Sequence, residues 1–190
     1  MILLTGFEPF RQWRVNSSGK AARLIGAAPG RAVRVLPVDH EAAAGALNEA
    51  LDETGADILL MTGLAAEARP RLELVARRPA RLASGPETLA GLWPWARALE
   101  ALRAAGVEAR LSRNAGRYVC ETAYWTALAR RAEGRGPRLA AFLHVPPLSG
   151  AWPVERVAAA VSSGLAAAAG LDKPAASAYL ASRPSGGRAP

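Results

Sequence analysis

The sequence predicts an α/β domain: a mostly parallel central sheet with helices on both of its faces. Short apolar runs alternate along the chain with helical runs of about 10–15 residues, which is typical of parallel strands joined by crossover helices. The chain has 190 residues, of which 51% are hydrophobic and 21% are charged. This length and composition suit one domain that buries a sizeable core. There is no internal repeat and no coiled-coil heptad pattern.

The first half of the chain opens on a strand that ends at a glycine. Met1–Thr5 is a compact apolar run before Gly6. A helix is then predicted over Ser17–Ile25, with Ser17 or Ser18 near its N-cap and Gly26 after its end. The next predicted elements are strand Ala32–Val38, helix His40–Thr54 before the C-cap Gly55, strand Ile58–Thr62 and the shorter strand Leu72–Ala76.

The second half continues the alternation. A helix is predicted over Leu92–Ala105, because Pro94 suits its first turn and Gly106 follows its end. The later elements are strand Val107–Leu111, helix Cys120–Arg131, strand Leu139–Val145 and helix Val154–Ala169, which Gly170 closes. We expect the domain to span residues 1–170 and the Ala/Ser/Pro/Gly-rich segment 171–190 to form a loose tail.

Composition and charge argue against several classes of protein. The net charge is +8, but the basic residues are scattered, reach no run of five and accompany no nucleic-acid motif, so we interpret them as solvated surface arginines rather than a nucleic-acid face. A lone cysteine excludes a disulfide scaffold. No apolar run is long enough to span a membrane, and no secretory leader is expected. The sequence therefore predicts a cytoplasmic protein.

Two residues could supply nucleophilic catalysis. Cys120 stands where a loop meets a predicted helix, and the positive end of a helix dipole is expected to favour its thiolate and to lower its pKa. His144 stands near the carboxyl end of an apolar strand, at the edge of the sheet where active sites of open α/β domains lie. Together they form a plausible nucleophile and proton acceptor. Taken singly, a lone cysteine or a histidine at a strand end is more often a structural residue.

A third group is needed to orient the imidazole. Three carboxylates near predicted strand ends are candidates: Glu8, Glu67 and Glu73. Their positions in the sequence alone do not decide between them. We find no cluster with the spacing of metal ligands and no nucleotide-binding glycine loop, so no metal and no cofactor are predicted.

Four short segments carry a resemblance to a known family. In chain order they are Thr5-Gly6-Phe7-Glu8-Pro9-Phe10, Leu72-Glu73-Leu74-Val75-Ala76, the stretch from Ser112 through Ala115-Gly116 and Tyr118-Val119 to Cys120, and Phe142-Leu143-His144-Val145-Pro146. Together they resemble the signature segments of the pyroglutamyl peptidase I family, also called pyrrolidone-carboxylate peptidases.

The resemblance implies a cysteine peptidase that removes an N-terminal pyroglutamyl (5-oxoprolyl) residue from peptides through an acyl-enzyme. It implies Cys120 as nucleophile, His144 as general base and acid, and Glu73 as the carboxylate that orients His144. It further implies no cofactor and a homo-oligomer, a dimer or a tetramer.

The same resemblance implies a set of substrate-binding residues. Phe7 and Phe10 match the aromatic rings around the lactam of the substrate, and Tyr118 and Val119 match residues that line the same pocket. Ala80-Arg81-Leu82 matches a segment near the oxyanion site, which adds Arg81 to the substrate-binding residues.

The chain departs from the family pattern at several places. Arg11-Gln12 replaces a Gly-Gly pair, Glu121 replaces the Asn after the nucleophile, and the loop over residues 78–92 is shortened. The shortened loop keeps a second hypothesis open, in which the chain is a non-catalytic α/β relative that binds a small molecule or a peptide.

Overall fold

A computed structural model describes residues 1–81 and 84–168 of the chain. Its strands are β1 (Ile2–Phe7), β2 (Arg31–Leu36), β3 (Ile58–Leu64), β4 (Arg71–Glu73), β5 (Val75–Arg77), β6 (Thr88–Ala90), β7 (Arg110–Ser112) and β8 (Leu139–Val145). Its helices are α1 (Ser17–Ile25), α2 (His40–Thr54), α3 (Trp95–Ala104), α4 (Val119–Ala132) and α5 (Val154–Ala166).

Six strands form the central sheet in the order β2-β1-β3-β8-β4-β7. The first four run parallel, and β4 then pairs antiparallel with β8 while β7 runs parallel to β4. Strands β5 and β6 form a separate antiparallel ribbon. The mostly parallel sheet confirms the predicted fold class, and the reversal at β4 brings the start of that strand level with the end of β8.

The parallel strands bury both of their faces. Leu3, Leu59 and Phe142 belong to the core beneath α2 and α4, whereas their neighbours Leu4, Leu60 and Leu143 belong to the core beneath α1, α3 and α5. Successive side chains of a strand point to opposite faces, so a strand covered on both sides is a continuous apolar run. This explains why the parallel strands lack alternation in the sequence.

Helix α1 packs against β1 through two glycines. A Cβ atom on Gly19 would lie 2.1 Å from the carbonyl oxygen of Phe7, and one on Gly6 would lie 2.6 Å from that of Ser18. The N-cap is Asn16, whose side chain accepts the backbone N–H of Ser18, so Ser17 and Ser18 are the first two residues of the helix, next to its cap. The close approach of α1 fixes the turn that follows β1.

Strand β6 was not predicted, several other elements differ from their predicted bounds by one to three residues, and the differences with a clear physical reason are the following. The segment Leu72–Ala76 divides between β4 and β5, because the chain turns at Leu74 from the central sheet into the ribbon. Helix α3 begins at Trp95 rather than at Leu92, since the backbone of Leu92 exchanges hydrogen bonds with Ala140 of β8. Strand β7 is shorter than predicted and ends one residue later, at Ser112.

Some expectations concern residues outside the described ranges 1–81 and 84–168. These are Leu82, Ala169, the closing Gly170 and the tail 171–190. Helix α5 ends at Ala166, within the described residues and before the predicted end at Ala169. Within the described ranges, no helix is both long enough and apolar enough to cross a membrane.

Candidate active site

Cys120 lies in the first turn of α4 and faces a cavity at the edge of the sheet where the four parallel strands end. Its sulfur sits close above β3, because Gly63 has no side chain: a Cβ there would lie 2.9 Å from the sulfur and 2.8 Å from the ring of Phe142. Gly63 is level with His144 in the pairing of β3 with β8. The glycine thus allows the thiol to approach the strand that carries the histidine.

His144 and Glu73 form a buried hydrogen-bonded pair. His144 Nδ1 lies 2.8 Å from Glu73 Oε1, and the side chains of the two residues are 4% and 0% exposed. A carboxylate accepts the proton of Nδ1, which leaves Nε2 as the acceptor of the neutral ring. His144 lines the same cavity as Cys120.

Arg71 supports the pair from the start of β4. Its Nε donates to Glu73 Oε1 at 3.0 Å, and its guanidinium also pairs with Glu67. Arg110 donates to the other oxygen of Glu67 at 3.0 Å. The network therefore runs from the buried Glu73 out to the surface at Glu67 and Arg110.

This network decides which of the three candidate carboxylates is beside the histidine. Glu73 bonds to His144, whereas Glu67 bonds to two arginines and Glu8 is exposed at the end of β1. Burial opposes the ionisation of Glu73, but the hydrogen bond and charge of His144 and the charge of Arg71 together hold its pKa below the ordinary value. Glu73 is therefore an ionised partner of the imidazole.

The thiol behaves differently from the expectation. Burial raises the pKa of Cys120 to about 12, against the smaller opposing effect of a hydrogen bond from its own backbone N–H. The prediction that the helix N-terminus lowers this pKa is therefore wrong, because desolvation outweighs the dipole. At neutral pH the resting thiol keeps its proton.

The cavity at Cys120 has a volume of about 180 Å³. Four residues assigned to a substrate pocket from the sequence line it together: Phe7, Phe10, Tyr118 and Val119. The ring of Tyr118 lies 5.8 Å from that of Phe10, between centroids. Phe7 is also part of the core, 3% exposed and beside Phe142. The walls are thus largely apolar with few polar groups.

Arg81 is not brought to this cavity. It lines a neighbouring cavity of about 280 Å³ together with His40, Arg77 and Glu121, and Tyr118 lines both cavities. Arg81 is exposed at the edge of the described segment that ends at residue 81.

Several residues at the Cys120 cavity were missed in the sequence. Arg71 and Asn16 line it, and Gly63 lies next to the sulfur of Cys120. Asn16 donates its amide to the carbonyl of Glu8 and so ties the turn after β1 to α1. The position of Asn16 just before a helix was a usable signal, but nothing local in the sequence indicates that Arg71 reaches Glu73. In the described residues no three His, Cys, Asp or Glu side chains cluster as metal ligands.

Comparison with known proteins gives a consistent result. The profile of the family described as pyroglutamyl peptidase matches residues 1–78 and 80–163. The pyrrolidone-carboxylate peptidase of Cupriavidus taiwanensis is 32% identical over 169 residues, which cover 77% of this chain and 78% of that protein. The pyrrolidone-carboxylate peptidase of Thermococcus onnurineus is 31% identical over 166 residues, covering 76% and 82%.

A solved structure is also similar in fold. The crystal structure of pyrrolidone carboxyl peptidase from Pyrococcus furiosus superposes with a TM-score of 0.79 at 25% sequence identity. The match covers 88% of this chain and 97% of that one.

Proposed function

This chain belongs to the pyroglutamyl peptidase family and is a peptidase of that type, and we propose that Cys120, His144 and Glu73 carry out its reaction. The substrate is a peptide with an N-terminal pyroglutamyl residue, and the products are free pyroglutamate and the shortened peptide. The observation that carries the proposal is the buried bond of 2.8 Å between His144 and Glu73 in the wall of the cavity that Cys120 faces.

Acylation requires the neutral imidazole of His144. With a pKa of about 12 the thiol of Cys120 is protonated at neutral pH, and because Nδ1–H is donated to Glu73, Nε2 is the proton acceptor of the neutral His144 ring. The sulfur attacks the pyroglutamyl carbonyl carbon as its proton passes to Nε2. The ionised Glu73 stabilises the imidazolium that forms.

The peptide bond then breaks. The tetrahedral intermediate collapses, the C–N bond cleaves, and the imidazolium gives its proton to the leaving amine. A thioester of pyroglutamate remains on Cys120. Water attacks this thioester with His144 as base, the C–S bond breaks, and the thiol regains its proton as pyroglutamic acid leaves.

Backbone groups at the start of α4 are suited to the developing oxyanion. The N–H of Cys120 lies close to its own sulfur and lowers the thiol pKa, although burial has the larger, opposite effect. A donor in that position also reaches an oxygen bonded to the carbon that the sulfur attacks. Preorganised donors of this kind are worth about 10²- to 10³-fold in kcat each.

The walls of the cavity suit a lactam ring. Pyroglutamate lacks the free amine on which ordinary aminopeptidases rely, so selection depends on shape, apolar contact and a few hydrogen bonds. Phe7, Phe10 and Val119 supply apolar surface, and Arg71 and Asn16 are the polar groups besides Cys120, His144 and Tyr118.

The test is hydrolysis of a pyroglutamyl arylamide beside the prolyl and glutamyl arylamides. We expect only the pyroglutamyl compound to be cleaved, and we expect Cys120→Ala to lower kcat by several orders of magnitude, roughly 10⁶-fold, with an unchanged melting temperature. Cleavage by Cys120→Ala at the wild-type rate would refute the role of the thiol. Failure of the wild type to cleave any of the three would favour a binding relative without catalysis.

A further inference from the structure

A second cavity adjoins the one at Cys120 and is rich in arginine. Its volume is about 280 Å³. Four arginines line it: Arg77 from the end of β5, Arg78 and Arg81 from the segment that follows it, and Arg117 from the loop before α4. The scatter of basic residues along the sequence gave no sign that these four would meet around one concave surface.

The acidic and titratable groups around this cavity do not balance the arginines. Among the described residues that line it, Glu121 is the one acid. Burial raises the pKa of Glu121, although Arg77 and Arg117 act in the opposite direction. His40 is held towards its neutral form, because burial and the charge of Arg81 lower its pKa more than Asp39 raises it. Asp39 itself is exposed at the N-cap of α2. The cavity therefore carries a net positive charge at neutral pH.

The arginine cavity lies next to the catalytic cavity, and the two cavities share one wall. Tyr118 lines both, with its ring 5.8 Å from Phe10 on one side and 5.9 Å from His40 on the other, between centroids. The side chains at the start of α4 also line different cavities. Cys120 lines the catalytic cavity, whereas Glu121 and Thr122 line the arginine cavity. With the pyroglutamyl group at Cys120, the second cavity is therefore the neighbouring concave surface on the other side of Tyr118.

We infer that the arginine cavity is a subsite for a carboxylate on the leaving side of the scissile bond. The carboxylate is either the side chain of an acidic residue directly after pyroglutamate or the C-terminal carboxylate of a pyroglutamyl dipeptide. The inference rests on the proposed function, since it takes the pyroglutamyl group to lie at Cys120. Guanidinium groups bind carboxylates through paired hydrogen bonds, and a concave site of one charge concentrates ions of the opposite charge.

The experiment compares matched peptides that differ in one charge. The first pair is pyroglutamyl-Glu-Ala amide against pyroglutamyl-Gln-Ala amide, which isolates the side-chain carboxylate. The second pair is pyroglutamyl-Ala against its amide, which isolates the terminal carboxylate. We expect the charged member of at least one pair to have a higher kcat/KM, on the order of tenfold at low salt. The pair that responds identifies the source of the carboxylate.

Two variants and a change of salt concentration test whether the preference for the charged peptide arises from the arginine cavity. Arg117→Gln removes one cavity charge, and Arg113→Gln removes an exposed charge from the same loop that lines neither cavity. The preference for the charged peptide should shrink severalfold in Arg117→Gln and stay unchanged in Arg113→Gln. It should also shrink at about 0.5 M NaCl, because surface charges are then screened within a few ångströms. Arg113→Gln should also leave hydrolysis of the neutral pyroglutamyl arylamide unchanged.

Two results would overturn the inference. Equal kcat/KM within both pairs, with the arylamide cleaved normally, would leave the proposed function standing and refute the carboxylate subsite. An equal loss of preference in Arg113→Gln and Arg117→Gln would assign the effect to the overall charge of the protein. If the arylamide is not cleaved at all, the proposed function fails, and binding of the same pairs to the Cys120→Ala variant decides the subsite by itself: equal Kd values refute it.

Discussion

At Cys120, burial of the thiol disfavours the thiolate that the reaction needs. The protein packs the sulfur against Gly63 and Phe142, and this burial raises its pKa to about 12. A thiolate is consequently rare in the resting enzyme at neutral pH, and the sulfur depends on His144 to take its proton during the attack. The oriented imidazole is therefore more important here than in a site that holds its thiolate in advance.

The first prediction concerns Glu73. In Glu73→Gln the imidazole loses the charge that stabilises its protonated form, and we expect kcat to fall by about 10²- to 10⁴-fold. The matched control is Glu67→Gln, which removes a second carboxylate that bonds Arg71 but does not contact His144. Arylamide hydrolysis by the two variants measures the difference. Equal losses would mean that Glu73 acts through Arg71 and the fold rather than through His144.

The second prediction concerns Gly63. An added Cβ would lie 2.9 Å from the sulfur of Cys120 and 2.8 Å from Phe142, so Gly63→Ala must move the thiol or the ring. A displacement of about 1 Å in a reacting atom can cost on the order of 10²-fold, and we expect kcat to fall by this amount. The control is Gly45→Ala in α2, where an added Cβ meets open space. That variant should keep full activity and gain about 1 kcal/mol of stability. Normal kcat in Gly63→Ala would show that the site tolerates the shift.

At the scale of elements, the turn after β1 combines strain with a favourable contact. Arg11 has φ of +49°, a left-handed conformation that suits glycine, and it occupies one of the two positions where the resembling family has glycine. Its guanidinium lies 4.8 Å from the centre of the Tyr118 ring. The cation–π contact of Arg11 thus helps to hold Tyr118, which separates the two cavities, while the backbone of Arg11 itself is strained.

The third prediction separates these two effects. Arg11→Ala removes the contact and keeps the strain, whereas Arg11→Gly removes both. We expect Arg11→Gly to unfold at a higher denaturant concentration than Arg11→Ala, with a difference of about 1 kcal/mol in the free energy of unfolding. Both variants should raise KM for the arylamide by a similar factor, since both release Tyr118. Equal stability of the two would mean that the turn relaxes without cost.

At the scale of the whole molecule, stability should depend on pH through Glu121. The pKa of this acid is raised chiefly by burial, so the folded state binds its proton more tightly than the unfolded state. Its ionisation consequently lowers stability as the pH rises from the ordinary value of 4.5 through the raised pKa of the folded state. Glu73, with a lowered pKa, has the opposite sign and loses its contribution as the pH falls below 4.5.

The fourth prediction uses Glu121→Gln. The amide retains an oxygen that accepts the backbone N–H of Arg77, as Glu121 Oε1 does at 3.0 Å, but it has no charge to bury. The melting temperature of this variant should exceed that of the wild type by more at pH 8 than at pH 4.5. Thermal unfolding at the two pH values tests it, and a difference that does not change with pH would contradict a buried, titrating Glu121.

Oligomeric state is a further property of the whole molecule. The resemblance to the family implies a dimer or a tetramer, and this stays a prediction. Static light scattering at several protein concentrations measures the mass of the particle in solution and distinguishes a monomer from either assembly.

The sequence by itself determined what depends on neighbouring residues. Helices α1 and α2 match their predicted bounds, and β8 does so too, because periodicity, caps and glycines act locally. The family resemblance also implied that Phe7, Phe10, Tyr118 and Val119 would line one pocket beside Cys120 and His144, and all six residues line the same cavity. Strand ends of a parallel sheet meet at one edge, so motifs at those ends meet as well.

Only the tertiary structure decided what depends on contacts between distant segments. Residue positions left Glu8, Glu67 and Glu73 open, and only the family resemblance pointed to Glu73. The reversal of β4 is what brings Glu73 to His144, and no local signal encodes a strand direction. Burial, which is a property of the assembled fold, raises the pKa of Cys120 against the helix dipole. Scattered arginines become one positive cavity for the same reason: pairing and packing between segments far apart in the chain fix which charges face each other.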